Sequence, residues 1–275
     1  MTATADPPVP DEGEDYQGEE MTLFEHLAEL RSRLIKAGLG FALFFVIGFA
    51  LNSVVSAVLT SPYCSLPSEL RVTGQLVDGA DNCKLIFTDV MGAFVVRIKA
   101  AMVVAVTFGG PIIAYQVWAF VVPGLKAKEK RSAAPFVILT QLLFLGGAAF
   151  SFLVIPKGLE FLLSFGGEDF VSLLDADSYL TFLLRTMIAF GIAFEYPLII
   201  AILVLMGVVT HDLLKKYRRH AFFFAFVAAA VITPSQDPFT MTVMGLPLAL
   251  FYEICILFAR LVERRRGVAV EGAGT

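Results

Sequence analysis

Apolar residues fall into long unbroken runs along this chain, and polar residues gather in the short connections between them. About 20 consecutive apolar residues cross the hydrocarbon core of a bilayer as a helix. Runs of that kind occupy about 34–59, 100–122, 133–155 and 179–209. Two shorter runs follow at 221–232 and 241–261, separated by Thr233-Pro234-Ser235-Gln236-Asp237-Pro238. Twelve helical residues rise only about 18 Å against a core of about 30 Å, so the last hairpin predicts local thinning of the bilayer. The expected fold is all-α: a polytopic membrane protein of six transmembrane helices, the last two short. Gly109-Gly110-Pro111 interrupts the second run, and Pro197 in Phe194-Glu195-Tyr196-Pro197 predicts a kink in the fourth.

Composition sharpens the class. The chain is 57% hydrophobic and 17% charged, with a mean hydropathy of +0.76. Soluble domains are about a quarter charged, so this chain lacks the polar surface to meet water all round. Residues 1–20 carry seven acids, three prolines and no Lys or Arg. Residues 1–21 read as a disordered acidic leader without the basic start and apolar core of a signal peptide. A membrane domain over 22–266 and a short flexible tail over 267–275 complete the organisation.

Charge then sets the expected orientation. Fifteen of the 21 Lys and Arg residues lie in four flanks: before span one, between spans two and three, between four and five, and after six. Basic flanks stay in the cytoplasm, which places both termini there. Cys64 and Cys83 then fall in an external loop, where thiols oxidise. A disulfide closing that loop, or two free thiols, are the open readings. Cys255 inside span six reads as a small apolar filler.

Candidate chemistry is sparse. Thr22 and Glu25 match a capping box, and Leu23, Leu27, Leu30 and Leu34 form one apolar stripe. That predicts an interfacial helix which turns into span one. On spacing alone, Glu29 and Arg33 are an i,i+4 surface pair worth about 0.2–0.5 kcal/mol. Glu129 stands among Lys126, Lys128, Lys130 and Arg131, as an internal ion pair. Arg185, Glu195 and Glu253 are the costly residues inside the runs, and such groups usually face a protein interior or a water-filled cavity. For Glu195, a functional role and a structural hydrogen bond both remain open. There is no P-loop, no G-x-S-x-G and no H-E-x-x-H, and His26, His211 and His220 all lie outside the runs. No enzyme activity, cofactor, metal or nucleic-acid partner is expected.

His26-Leu27-Ala28-Glu29-Leu30-Arg31, the Tyr115–Phe120 run before Pro123, Phe194-Glu195-Tyr196-Pro197, and Thr233-Pro234 followed by Asp237 together resemble the TatC family. That family is the polytopic subunit of the twin-arginine protein translocase, and the resemblance extends over about 22–266. It implies a receptor for folded precursors with Arg-Arg signal peptides, exported by the proton-motive force across a bacterial cytoplasmic membrane. It also implies a signal site at Glu29 and Glu129, with Arg31, Phe120 and Leu125 nearby. Glu195 is implied in partner docking, and Pro234 and Asp237 in a periplasmic hairpin. The implied partners are small single-span subunits of the TatA and TatB type, membrane lipid, and further copies in a receptor complex. The chemistry fits, because two adjacent guanidiniums seek carboxylates that accept paired hydrogen bonds, which lysine cannot reproduce. The alternative is a small-solute or ion transporter with Glu195, Arg185 and Glu253 as ligands, against which no internal repeat is visible.

Overall fold

The computed structural model describes residues 23–67, 70, 83, 85–121, 133–165, 174–233 and 237–272. Helices make up nearly all of it, in the order α1 Leu23–Ala50, α2 Asn52–Cys64, α3 Gly92–Val121, α4 Ala133–Ser164, α5 Ala176–Phe194, α6 Tyr196–Leu205, α7 His211–Lys216, α8 Arg218–Ile232 and α9 Pro238–Gly272. Among the described residues, five windows are long and apolar enough to cross a membrane: Leu27–Ala50, Gly92–Val117, Phe136–Ser164, Ala176–Leu205 and Pro238–Arg265. The chain is therefore an all-helical, multi-pass membrane protein.

The helix bounds correct several expectations. The leucine stripe at the start is not a separate interfacial helix, because α1 runs unbroken from Leu23 to Ala50. No proline interrupts that stretch. The Thr22 side of the expected capping box lies outside the described residues. The first apolar run divides at Leu51, and α2 continues as a distinct helix of 13 residues. α3 begins at Gly92, so Arg97 and Lys99 are helical rather than loop residues, and Pro111 sits within the helix. The last helix is not short. It spans 35 residues, since the Arg- and Glu-rich sequence after Leu261 favours helix and contains no proline. Of the last two expected spans only α8, with 15 residues, falls short: it rises about 22 Å, well under a core of about 30 Å.

Close helix contact rests on glycine. A Cβ on Gly147 of α4 would stand 2.5 Å from the Phe190 carbonyl oxygen of α5. One on Gly48 of α1 would stand 2.8 Å from Val104 of α3. Small residues at such crossings let backbones approach where lipid supplies no hydrophobic drive. Beyond α6 the chain reverses at Gly207, whose φ is 77°, while the Val208 N–H closes back on the Leu203 carbonyl at 2.9 Å. That left-handed cap suits glycine.

Buried side chains form three clusters. Leu59, Tyr63, Val103, Ile155, Tyr179 and Leu183 join α2, α3, α4 and α5 at one end. Phe190, Phe194, Ala229, Met244 and Leu248 join α5, α8 and α9. Val204, Leu214, Tyr252 and Ala259 seat α7 on α6 and α9. Asp237 caps α9, accepting from the Thr240 N–H at 2.8 Å and its hydroxyl at 2.6 Å. With Pro238 as the first helical residue, the start of α9 is a stable N-terminus. Pro234 lies outside the described residues.

Candidate functional site

The α1–α3 pair fixes where Glu29 lies. A Cβ on Gly40 would meet Ile112, and Gly109 faces Phe41 and the Gly40 carbonyl; further along, Gly48 meets Ala101 and Val104. The two helices are thus antiparallel, with residue 40 level with 109–112. Glu29, eleven residues before Gly40, therefore stands at the level of Phe120, eleven residues beyond Gly109.

At that level the i,i+4 pair expected from spacing does form. Arg33 Nε donates to Glu29 Oε1 at 2.9 Å, and its Nη2 closes on the same oxygen. Both side chains are largely buried, at 22% and 23% exposed. Glu29 Oε2 is buried without a hydrogen-bond partner among the described residues. A buried carboxylate oxygen left unpaired is costly, and a charge-assisted donor recovers that cost. The pair with Arg33 thus occupies one acceptor and leaves the other without a donor among the described residues. Arg31 is exposed and Phe120 half-buried at the same edge. Glu129 and Leu125, the other residues of the expected site, lie outside the described residues.

A second polar group lies inside the apolar windows. Glu195 is the single residue between α5 and α6. Its N–H bonds to the Ile192 carbonyl at 3.0 Å, and its own carbonyl accepts from Leu198 at 3.0 Å. The tightened turn follows from Pro197, which has no N–H to continue the ladder. The Thr140 side chain of α4 hydrogen-bonds the Glu195 carboxyl, and Glu195 Oε1 is buried without a partner among the described residues. Gln141, the next residue of α4, lays its amide against Gly110 of α3, and among the described residues its Nε2 is also buried without a partner. Sequence reading missed Gln141; a lone amide in an apolar run was the available signal.

The other intramembrane residues disperse. Glu253 of α9 pairs with Arg218 Nε of α8 at 2.5 Å. Arg185 is exposed on α5. With Glu195 bound to Thr140, these three residues share no partner among the described residues.

The opposite end of the α1–α3 pair is tied down. Cys64 and Cys83 form a disulfide. Tyr179 donates to the Leu59 carbonyl at 2.7 Å. Lys99 pairs with Asp177 at 2.5 Å and donates to Thr181 at 2.6 Å; this tie between α3 and α5 was also missed, since Lys99 reads as a loop base in the sequence. Asp175 caps α5 by accepting from the Asp177 and Ser178 N–H groups at 3.1 Å. Its other oxygen accepts from Thr88 N–H at 3.3 Å and hydroxyl at 3.2 Å. Burial alone would raise the Asp175 pKa, but these hydrogen bonds from Ser178, Thr88 and Asp177 outweigh it and hold the carboxyl below its ordinary range.

Comparison with known proteins agrees over most of the chain. The family model described as "Sec-independent protein translocase protein (TatC)" matches residues 25–247. A TatC protein of Frankia casuarinae is 42% identical over 247 residues, covering 89% of this chain and 67% of the relative. One of Aquifex aeolicus is 34% identical, covering 90% of this chain and 98% of the relative. A crystal structure of the twin arginine translocase receptor TatC superposes with a TM-score of 0.69 at 34% identity, over 86% of this chain and 99% of that one. The long apolar helices, their order and these matches lead to one assignment: this chain belongs to the TatC family of Sec-independent protein translocase proteins.

Proposed function

We propose that this chain is the receptor subunit of a twin-arginine translocase, and that it holds the paired arginines of a signal peptide between Glu29 and Glu129. The observation that carries the reading is Glu29 Oε2, a buried carboxylate oxygen with no partner among the described residues, at the level where α3 ends. Arg33 fixes the carboxylate through Oε1, so the side chain is held in place before the peptide arrives. A guanidinium presents a planar fork to such an oxygen, whereas a lysine ammonium presents a point charge. Arg31, Phe120 and Leu125 line the same edge in this reading.

In the same reading both termini and the Glu29 edge face the cytoplasm, and the disulfide end faces the opposite compartment. The clustering of Lys and Arg supports that orientation. α8 is the fifth of six crossings, short enough to draw the bilayer thin around it. Glu195 is a docking point for small single-span partner subunits, supported by its unpartnered Oε1 within an apolar window. Several copies assemble into a receptor complex in a bacterial cytoplasmic membrane. Folded precursors then pass at the expense of the proton-motive force.

Photo-crosslinking tests the receptor reading. A signal peptide bearing Arg-Arg should label membranes containing this chain near Glu29, and Lys-Lys should label at least tenfold less. Glu29→Ala and Glu129→Ala should each abolish the difference. Equal labelling by both peptides, unaffected by either substitution, overturns it.

A further inference from the structure

Bases concentrate where α7, the start of α8 and the end of α9 meet. Residues 210–220 and 253–265 hold seven Lys and Arg against three Asp and Glu, and all three acids are engaged. Glu253 accepts from Arg218 Nε at 2.5 Å, Glu263 accepts from the His211 N–H at 2.8 Å, and Asp212 lies 3.2 Å from His211 Nδ1. Lys215, Lys216, Arg219, Arg260, Arg264 and Arg265 are exposed and form no ion pair among the described residues. The edge therefore presents an excess of positive charge that the described residues do not neutralise.

Contacts between the elements fix how these bases are arranged. Arg218 meets Glu253 and His211 meets Glu263, so α7 and the start of α8 run beside the last turns of α9. Leu214 is buried, and its carbonyl accepts from the Tyr252 hydroxyl at 2.7 Å, which seats α7. Arg260 and Arg264 follow Glu253 by seven and eleven residues, about two and three turns along one face. Arg260 therefore falls at the level of α7, whose last turn carries Lys215 and Lys216. Arg218 also lies over the Phe222 ring, 5.6 Å from its centroid.

The depth of this edge matches a lipid headgroup. The apolar window of α9 closes at Arg265, and long basic side chains at the end of a span reach to the phosphate layer. Tyr217, 48% exposed, is a ring of the kind that sits at headgroup level. One turn further into α8, Phe223 and Phe224 are exposed and offer apolar surface to an acyl chain. We propose that this edge binds an anionic phospholipid, its phosphate held by Arg260 and Arg264 of α9 and Lys215 of α7. Basic pockets between spanning helices take such headgroups by charge. A soluble acidic partner would use the bases and leave the aromatic surface below them uncovered, whereas a lipid covers both. This rests on α8 and α9 lying in the membrane and is separate from signal binding at Glu29, which lies on other helices.

The test uses the full chain in phosphatidylcholine nanodiscs doped with spin-labelled phosphatidylglycerol or spin-labelled phosphatidylcholine, and reads the immobilised fraction of each label. Phosphatidylglycerol should be preferred at least threefold. Arg260→Gln combined with Arg264→Gln should bring the ratio close to one, and Arg260→Lys combined with Arg264→Lys should keep most of it. Arg97→Gln with Lys157→Gln removes the same charge at the disulfide end and should leave the ratio unchanged. Crosslinking of the Arg-Arg signal peptide near Glu29 should persist in the Arg260→Gln, Arg264→Gln protein. Equal immobilisation of the two lipids overturns the proposal, as does an equal loss from the Arg97→Gln, Lys157→Gln control. Inorganic phosphate that removes the preference would assign the site to a free anion and overturn it. So would a preference that emerges only after deletion of residues 1–20, which would give this edge to the acidic leader.

Discussion

The two ends of the α1–α3 helix pair are built to opposite rules. Around the disulfide, α2, α3 and α5 are joined by a covalent bond, the Lys99–Asp177 ion pair, the Tyr179–Leu59 hydrogen bond and the four hydrogen bonds of Asp175. Among the buried side-chain polar atoms of the described residues, only the Tyr63 hydroxyl lacks a partner there. At the Glu29 end the charged contact among the described residues lies within a single helix, and it leaves a carboxylate oxygen buried and unmatched there. Ties between elements resist local opening, whereas an unmatched acceptor lowers stability until a ligand supplies its donor. A rigid end and a receptive end follow from that difference.

Substitutions should separate the two. The largest loss of stability should come from Cys64→Ser with Cys83→Ser: the bridged residues are 19 apart, and closing a loop of that length contributes about 3 kcal/mol in the chain-entropy model. Thermal unfolding of the purified chain with and without reductant checks this. A shift under 1 °C would mean that the other ties already hold this end.

Asp175→Ala should come next, costing about 1 kcal/mol as a lost N-cap. Protease nicking near Thr88 should increase in step, and an unchanged cleavage rate would remove Asp175 from the list of ties.

Acid gives a finer measure of the same residue. Because the folded Asp175 carboxyl binds its proton less tightly than the ordinary value of 3.8, the unfolded state takes up more protons. The stabilisation is complete above the unfolded value and is lost as pH falls through the lowered folded one. Between those values the wild-type curve should drop more steeply than that of Asp175→Ala. Parallel curves would contradict the hydrogen-bond assignment.

The smallest effect on stability belongs to Glu29→Ala. An i,i+4 pair contributes about 0.2–0.5 kcal/mol, and removing the buried unpaired oxygen offsets part of that. Signal-peptide affinity should nevertheless fall at least tenfold, measured in the same membranes. If unfolding shifts as much as for Asp175→Ala, the receptive end is a structural tie after all.

Much of this was legible in the sequence. The apolar runs were long enough to locate the helices, and clustered motifs placed the chain in its family. The sequence reading failed where local rules met tertiary context. Gly109-Gly110-Pro111 reads as a break, yet α3 passes through it because the glycines face α1 and α4 while Pro111 is exposed. The i,i+4 rule anticipated Glu29–Arg33, but not that the second oxygen would be buried without a partner. Gln141 and Lys99 carry no motif, and only their contacts distinguish them.

What the sequence determined by itself was that the chain is a helical membrane protein, because hydrocarbon forbids unsatisfied backbone and only a long apolar helix meets that demand segment by segment. Which polar groups are paired and which are left open was decided by the tertiary structure alone. Burial and partnership depend on the neighbouring helix: its register, set by Gly40 and Gly48 against α3 and by Gly147 against α5, fixes where each carboxylate lies.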